Sequence, residues 1–402
     1  MSTLSHGRGS ETGLIGALRR LRDPLLLLLL PITFAVLLAF LGYGTSWPIG
    51  FDFRGTLWEP ARALLDGEAI YPDPTRDNVV VGNPTVYPPA FILALVPLAL
   101  LPVTLASWLW LVVLGAGIVC AMWVVGLRDW RCHVLAVTSP VVVHGLWFGN
   151  LTLGLVLFVA LAWRYRDDAP RAGLALGAAI AAKLFVAPLV VWLLLTRRFR
   201  AAAWTTATAV ALVIGAWAVV GFEGFRDYPA LLRVVQDVYA VRSVSLSTVA
   251  GALGASATVA VAVAAGAGLV LLALAALMIG KADGDRRAFA IVVVACVVAS
   301  PIVWPNYAAL LFVPIAVTWP RLAPAWFFGY AIWLAGAAPK PVTEDVCCRP
   351  PGVTEQAWLA SHAEPALWFP AASTAVLVAL AVAMVIARRE LPSMTVTTAA
   401  VA

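Results

Sequence analysis

The chain has 402 residues, of which 62% are hydrophobic and only 12% are charged, and its formal net charge is +6. Soluble domains carry about 25% charged residues, so this composition excludes an ordinary soluble domain and predicts an all-α polytopic membrane protein. The positive charge lies in short basic loops between apolar runs, and we infer no nucleic-acid partner from it.

Apolar runs long enough to cross a bilayer recur along the whole chain. A helical crossing needs roughly 20 apolar residues. The clearest runs are 24–44, 103–127, 172–195, 201–222, 249–280 and 366–387. Shorter or proline-broken runs are 87–101, 133–147, 151–163, 289–300, 307–319 and 323–337. Together these runs predict about 11–13 transmembrane helices.

Basic residues concentrate in short loops and predict the orientation of the chain. They precede the first apolar run and recur at 197–200, 281–287 and 388–389. Such loops stay in the cytoplasm, so we expect both termini inside. No small-residue cleavage site follows the first apolar run, which favours a retained helix over a signal peptide.

The same pattern predicts one transmembrane catalytic domain over residues 24–388, between cytoplasmic tails at 1–23 and 389–402. The predicted outer loops are 45–86, 223–247 and 339–364. Residues 87–131 cross either once, with a break at Pro102, or twice.

The first outer loop contains a predicted amphipathic helix over residues 55–66. Its apolar stripe repeats at helical spacing, at Leu57, Ala61, Leu64 and Leu65. Gly67 supplies the stop, and Trp58 is predicted to anchor the helix in the outer membrane interface. Alternatively, the helix only shapes the loop.

Asp52 stands at the start of this loop, between Phe51 and Phe53. A carboxylate shielded by lipid and aromatic rings has a raised proton affinity, which suits a group that takes a proton from a hydroxyl. The alternative is a plain helix-end carboxylate in the headgroup zone.

Lys183 is the only charged residue in the apolar stretch 173–195. An ammonium group there must snorkel to the interface or meet an anion, and Pro188 opens the helix nearby for a partner. A lipid-linked phosphate is such an anion.

Other polar residues lie where apolar runs begin or break. Tyr87 precedes two prolines that permit a helix start, and this segment is predicted to be a loop re-entering the membrane. His144 and Asn150 follow one Ser-Pro pair, whereas Asn306 and Tyr307 follow another. These side chains either line a pocket or form interhelical hydrogen bonds.

The sequence points to no cofactor. No phosphate loop, nucleotide fingerprint or metal-ligand spacing occurs, so a cytoplasmic nucleotide is not expected as a direct substrate. Cys347 and Cys348 are adjacent in a predicted outer loop and either pair or stay free. The serine-rich segment 243–251 contains at least a helix cap.

Several segments together resemble one family. They are "GFDF", "ARALLDGEAIY", "YPPAFILALVPLALLP", "WFGNLTL", "AAKLFVAPLVVWLLLTRRFRAA", "SVSLS" and "SPIVWPNYAALLFVP". Taken in order, they resemble glycosyltransferase family 87, which comprises polyprenol-phosphate-sugar-dependent enzymes with the C-type membrane glycosyltransferase fold.

The resemblance implies transfer of mannose from polyprenyl phosphate to a glycolipid or lipoglycan, on the outer side of a bacterial inner (plasma) membrane. It implies an inverting displacement with Asp52 as the catalytic base. The candidate substrate contacts are Lys183, Asn306, Tyr307, Glu59, Tyr87, His144 and Asn150. The expected partners are the lipid-linked donor, the glycolipid acceptor and membrane lipids, without a metal.

One departure and two rival functions accompany this hypothesis. Many similar proteins carry histidine where this chain has Asn306, and asparagine exchanges no proton near neutral pH. If that histidine assists phosphate departure, this chain does without it or uses His144 or His362.

A lipid carrier or flippase shares the apolar composition, and an inactive scaffold leaves Asp52 without a role.

Overall fold

The computed structural model describes residues 49–75, 79, 84–240, 243–335 and 368–387. Its helices in the first half are α1 (Phe51–Phe53), α2 (Glu59–Asp66), α3 (Pro89–Ala99), α4 (Val103–Val124), α5 (Trp130–Thr138), α6 (Pro140–Phe148), α7 (Thr152–Arg164), α8 (Ala169–Ala182) and α9 (Leu189–Leu195). The remaining helices are α10 (Phe199–Val219), α11 (Tyr228–Tyr239), α12 (Leu246–Ala252), α13 (Ala257–Met278), α14 (Gly284–Val298), α15 (Phe312–Thr318), α16 (Phe328–Ala335) and α17 (Trp368–Ile386).

The architecture is that of an all-α polytopic membrane protein, as the composition predicts. Within the described residues, three helices are long and apolar enough to cross a membrane, namely α4, α10 and α13. Shorter apolar helices, including α3, α7 and α8, pack around them. No β-strand occurs in this part of the chain.

Two of the long apolar runs are each divided into two helices. An opening near Pro188 was expected in the run 172–195, whereas the run 249–280 was expected to form one helix. The run 172–195 ends its first helix at Lys183, whose backbone is extended at φ −158° and ψ 113°. The run 249–280 divides into α12 and α13, because Gly254 is left-handed at φ +93° and the Ser256 hydroxyl caps α13. Lys183 is the only charged residue in these two apolar runs, so charge does not mark the break in the run 249–280.

Residues 87–131 contain a break at Pro102, between α3 and α4. Helix α3 begins at Pro89, as the paired prolines predict. Its 11 residues are about 16 Å long, too short to cross a bilayer of about 30 Å. The single crossing with a proline break is therefore the better of the two alternatives.

The amphipathic segment of the first outer loop is helical, as predicted. A wide π-helical turn over Arg54–Trp58 joins α1 to α2. Leu57 and Ala61 are buried, whereas Leu65 is 42% exposed. Trp58 holds this segment to the protein itself, because its Nε1 donates to the Leu101 carbonyl.

The two ends of α10 identify two opposite faces of the helical bundle. Near its first residue, Arg198 pairs with Asp285 at the start of α14, so the basic turns 197–200 and 281–287 lie on one side. Near its last turn, Trp217 stacks on Tyr71 in a cluster with Leu231 of α11. The described parts of loops 45–86 and 223–247 thus share the opposite side.

Tyrosine hydroxyls fix the chain just before α3. The Tyr71 hydroxyl donates to the Tyr87 carbonyl at 2.7 Å, and the Tyr228 hydroxyl donates to the Val86 carbonyl at 2.7 Å. Tyr71 and Tyr228, from two separate segments, therefore hold the backbone at Val86 and Tyr87 in place.

A close approach of two glycines docks α1 on the end of α6. The Gly50 amide donates to the Trp147 carbonyl at 2.7 Å, and both Gly50 and Gly149 have positive φ. A Cβ atom on Gly149 would lie 2.8 Å from the Phe53 Cβ and 3.4 Å from the Gly50 Cα. The Trp110 Nε1 donates to the Gly149 carbonyl and completes the junction.

We predict that Gly149→Ala destabilises the protein by about 2–5 kcal/mol, because a left-handed alanine costs about 1–2 kcal/mol and overpacking adds about 1–3 kcal/mol. Gly126→Ala is the matched control: Gly126 has φ +89° but nothing within 4 Å of its Cβ position. Thermal unfolding in detergent checks both variants. Equal loss of stability in the two would contradict the packing argument.

Candidate functional site

Asp52 lies on α1, outside the predicted membrane spans, and is oriented by a hydrogen bond across the bundle. The Asn150 Nδ2 donates to the Asp52 Oδ2 at 2.7 Å. The Thr56 hydroxyl donates to the Asp52 backbone carbonyl within the π-helical turn. Such turns occur often at functional sites because they re-aim side chains.

Asn150 and Thr152 connect Asp52 to Lys183. The Asn150 Oδ1 accepts from the Thr152 amide at 3.0 Å, which starts α7, and the Lys183 Nζ donates to the Thr152 hydroxyl at 3.0 Å. Among the described contacts, Asp52 and Lys183 form no direct ion pair. The acid and the ammonium therefore face one site without neutralising each other by contact.

Aromatic rings surround the Lys183 ammonium group. Its Nζ lies 3.9 Å from the ring centroid of Tyr307, 5.5 Å from that of Tyr87 and 5.6 Å from that of Phe185. Ring faces attract a cation by up to about 2 kcal/mol when it is desolvated. This inward orientation contradicts the alternative that Lys183 snorkels to the interface.

Both charged groups keep unused binding capacity. The Asp52 Oδ1 accepts from no described protein group, although Asp52 is closely surrounded and only half-buried. Lys183 is also half-buried, and its ammonium has three donors of which one reaches Thr152.

The electrostatics of Asp52 combine three effects. Burial raises the pKa of its carboxyl above the ordinary value, whereas the Asn150 hydrogen bond and the Lys183 charge partly offset the rise. Tyr87 also lies close to this carboxyl group, because it interacts with both Thr56 and Asp52. The carboxylate is thus more basic than one in water.

Two further hydrogen-bond donors near this site have no partner among the described residues. One is the Nδ2 of Asn306, a residue that is only 1% exposed, and the other is the buried Nε1 atom of Trp147. Asn306 lies against Gly145, and Trp147 precedes the glycine junction at Asp52. Buried unpaired donors are rare, so these groups fit a polar ligand.

Some candidate residues lie apart from this cluster. His144 packs against Phe148 and Trp333, and no described contact joins it to Asp52 or Lys183. Glu59 is exposed on α2. His362, Cys347, Cys348 and the first apolar run 24–44 lie outside the described residues.

The serine-rich segment is a helix cap, as expected, and it also fastens a neighbouring loop. The Ser245 hydroxyl accepts from the Thr248 amide at 3.2 Å, which caps α12. Ser245 and Ser247 both donate to the Pro301 carbonyl, at 3.0 and 2.7 Å. This contact fixes the segment that leads to Asn306 and Tyr307.

Thr152 and Trp147 are site residues that the sequence reasoning did not single out. The sequence signal for Thr152 is the Asn-x-Thr pattern after Gly149. The side-chain oxygen of asparagine often accepts a hydrogen bond from the backbone amide two residues further along the chain. No comparable signal marks Trp147, whose role depends on tertiary contacts.

The arrangement brings a base with an open oxygen close to a cation that can hold an anion, with Asn150 and Thr152 between them. Within the described part of the chain, no three His, Cys, Asp or Glu side chains lie together as a metal site. Chemically, the site can take a proton from a hydroxyl beside a departing anionic group.

Comparison with known proteins gives one match. The model of glycosyltransferase family 87 matches residues 85–305, which is more than half of the chain. The matched region contains Tyr87, His144, Asn150 and Lys183 but not Asp52. No curated protein and no solved structure is significantly similar.

We predict that Asn150→Ala moves the titration of Asp52 to higher pH, because the variant loses the hydrogen bond that stabilises the carboxylate. Infrared spectra across a pH series check this through the carboxyl band, which Asp52→Asn identifies. Asn306→Ala is the control, since Asn306 does not bond to Asp52. An unchanged titration in Asn150→Ala would rule out this coupling.

Proposed function

The chain belongs to glycosyltransferase family 87, and on that basis we propose that it transfers mannose from polyprenyl-phosphate mannose to a glycolipid or lipoglycan acceptor. Family membership makes it a membrane glycosyltransferase that uses a sugar donor and an acceptor. The observation that carries the finer proposal is the Asp52 carboxylate, with one oxygen that no described group engages, linked to the Lys183 ammonium through Asn150 and Thr152.

In the proposed reaction, Asp52 is the general base. The acceptor hydroxyl gives its proton to the Asp52 carboxylate while its oxygen forms a bond to the anomeric carbon of mannose. Asn150 keeps one carboxylate oxygen engaged, which leaves the other directed at the acceptor. Attack opposite the leaving group converts a β-linked donor into an α-linked product.

Lys183 is the proposed partner of the donor phosphate. The bond between the anomeric carbon and the phosphate oxygen breaks, and its electron pair leaves with polyprenyl phosphate. The phosphate gains negative charge in this step, which an ammonium group stabilises. Asn306, Tyr307, Tyr87 and Asn150 are the proposed contacts to the sugar and phosphate, while His144 and Glu59 lie further from the centre.

The surroundings of Lys183 support a lipid-linked donor. Leu184, the next residue, is 53% exposed on an otherwise apolar segment. An isoprenoid chain can therefore lie against this surface while its phosphate reaches the ammonium. We propose the outer side of the plasma membrane because Asp52 lies on the face of the predicted outer loops, opposite the basic turns.

One experiment tests the reaction directly. Purified protein is incubated with radiolabelled polyprenyl-phosphate mannose and a membrane lipid extract, and labelled products are identified. We expect a covalent mannosylated lipid. Movement of the donor across vesicles without covalent transfer would instead support the carrier.

We predict that Asp52→Asn abolishes sugar transfer without preventing membrane insertion, because the amide has almost the same shape but accepts no proton. Asp66→Asn is the matched control: Asp66 is an exposed acid on the same helical segment, paired with Arg62. Transfer rates on purified variants provide the measurement. Turnover by folded Asp52→Asn protein would exclude Asp52 as the base.

We predict that Lys183→Ala raises the apparent KM for the donor by about 10- to 100-fold, since a hydrogen bond to a charged group is worth about 1.5–3 kcal/mol. Lys281→Ala, in an exposed turn on the opposite face, is the control. Steady-state kinetics at varied donor concentration measure the effect. Kinetics like those of the wild type would refute the phosphate role.

A further inference from the structure

A cleft lies on the basic face, away from Asp52. It has a volume of about 520 Å³ and lies where α8 and α10 begin. Its charged lining consists of Arg166, Asp167, Asp168, Arg197, Arg198 and Arg200. Four arginines thus face two aspartates, and the excess charge is positive.

Asp285 fixes one side of this cleft. Its carboxylate accepts two bonds from Arg198, both at 2.9 Å, and one from Arg166 at 3.1 Å. The Trp192 Nε1 donates to the same carboxylate at 2.8 Å. The guanidinium groups of Arg166 and Arg198 are therefore held in place by protein contacts and form a rigid wall.

Arg197 and Arg200 differ from this pair. Both are exposed, and among the described residues neither pairs with an acidic side chain. Arg197 has a positive φ of 59°, so the turn presents its side chain in an uncommon backbone conformation. These two arginines supply positive charge that no acidic side chain in the described part of the chain neutralises.

The rim of the cleft is apolar and faces the surface. Phe199 is 61% exposed and Trp204 is 46% exposed, and both lie in the cleft lining at the start of α10. This helix is long and apolar enough to cross a membrane. Tryptophan and arginine at such a boundary lie at the depth of lipid headgroups.

We propose that this cleft binds the headgroup of an anionic phospholipid. The phosphate lies between Arg197 and Arg200, and the acyl chains extend along Phe199 and Trp204. A free phosphate would use the arginines but would gain nothing from the exposed aromatic rings. The combination of uncommitted cations with an apolar wall on a membrane-spanning helix thus favours a lipid.

The test measures lipid binding to the purified full chain by native mass spectrometry. Phosphatidylglycerol is titrated into the wild-type protein and into the Arg197→Gln/Arg200→Gln double variant. Phosphatidylcholine and inorganic phosphate are titrated separately. Each arginine near an anionic lipid is worth about 1 kcal/mol, so we expect the double variant to bind phosphatidylglycerol about 25-fold more weakly. Arg62→Gln/Arg233→Gln removes the same charge from exposed sites elsewhere and is the control.

Trp204→Ala separates a lipid from a free anion. We expect this variant to lose affinity for phosphatidylglycerol severalfold, and inorganic phosphate to compete poorly in the wild type. Equal affinity of wild type and double variant would overturn the proposal. So would an equal loss in the control variant, or displacement of the lipid by inorganic phosphate at matched concentration. Arg200→Gln alone provides a milder variant for the same comparison.

Discussion

The separation of the Asp52 carboxylate from the Lys183 ammonium group governs this structure. Asn150 and Thr152 join these two half-buried groups by hydrogen bonds in place of a direct ion pair. A charge that is partly removed from water is tolerated only when it is paired or hydrogen-bonded, so each group needs these intermediates. Because the charges do not close on each other, each keeps capacity for a ligand.

Maintaining this separation requires close backbone contact. Gly50 and Gly149 let α1 approach the end of α6, which brings Asp52 to Asn150. The helical break at Lys183 turns that side chain inward, toward Tyr307 and α7. The same positions therefore serve both the packing and the proposed chemistry. Gly149 fits only without a side chain, and Lys183 both ends a helix and supplies the ammonium group.

The sequence predicted the helical class and the helix start at Pro89, and it singled out Asp52 and Lys183 as isolated charges in apolar surroundings. It did not predict that Asn150 would orient Asp52 or that Thr152 would link it to Lys183, because these contacts join residues distant in sequence. Pro188 indicated an opening in the run 172–195, but nothing in the hydrophobic pattern indicated that the run 249–280 would divide into two helices. Hydrophobicity alone does not reveal a break made by backbone conformation.

A structure of the protein with bound polyprenyl phosphate would show whether Asp52 and Lys183 act on one substrate. We expect a phosphate oxygen about 3 Å from the Lys183 Nζ, with the open oxygen of Asp52 facing the space left for the sugar and acceptor. A phosphate bound away from Lys183, with Asp52 turned to another protein group, would contradict this expectation.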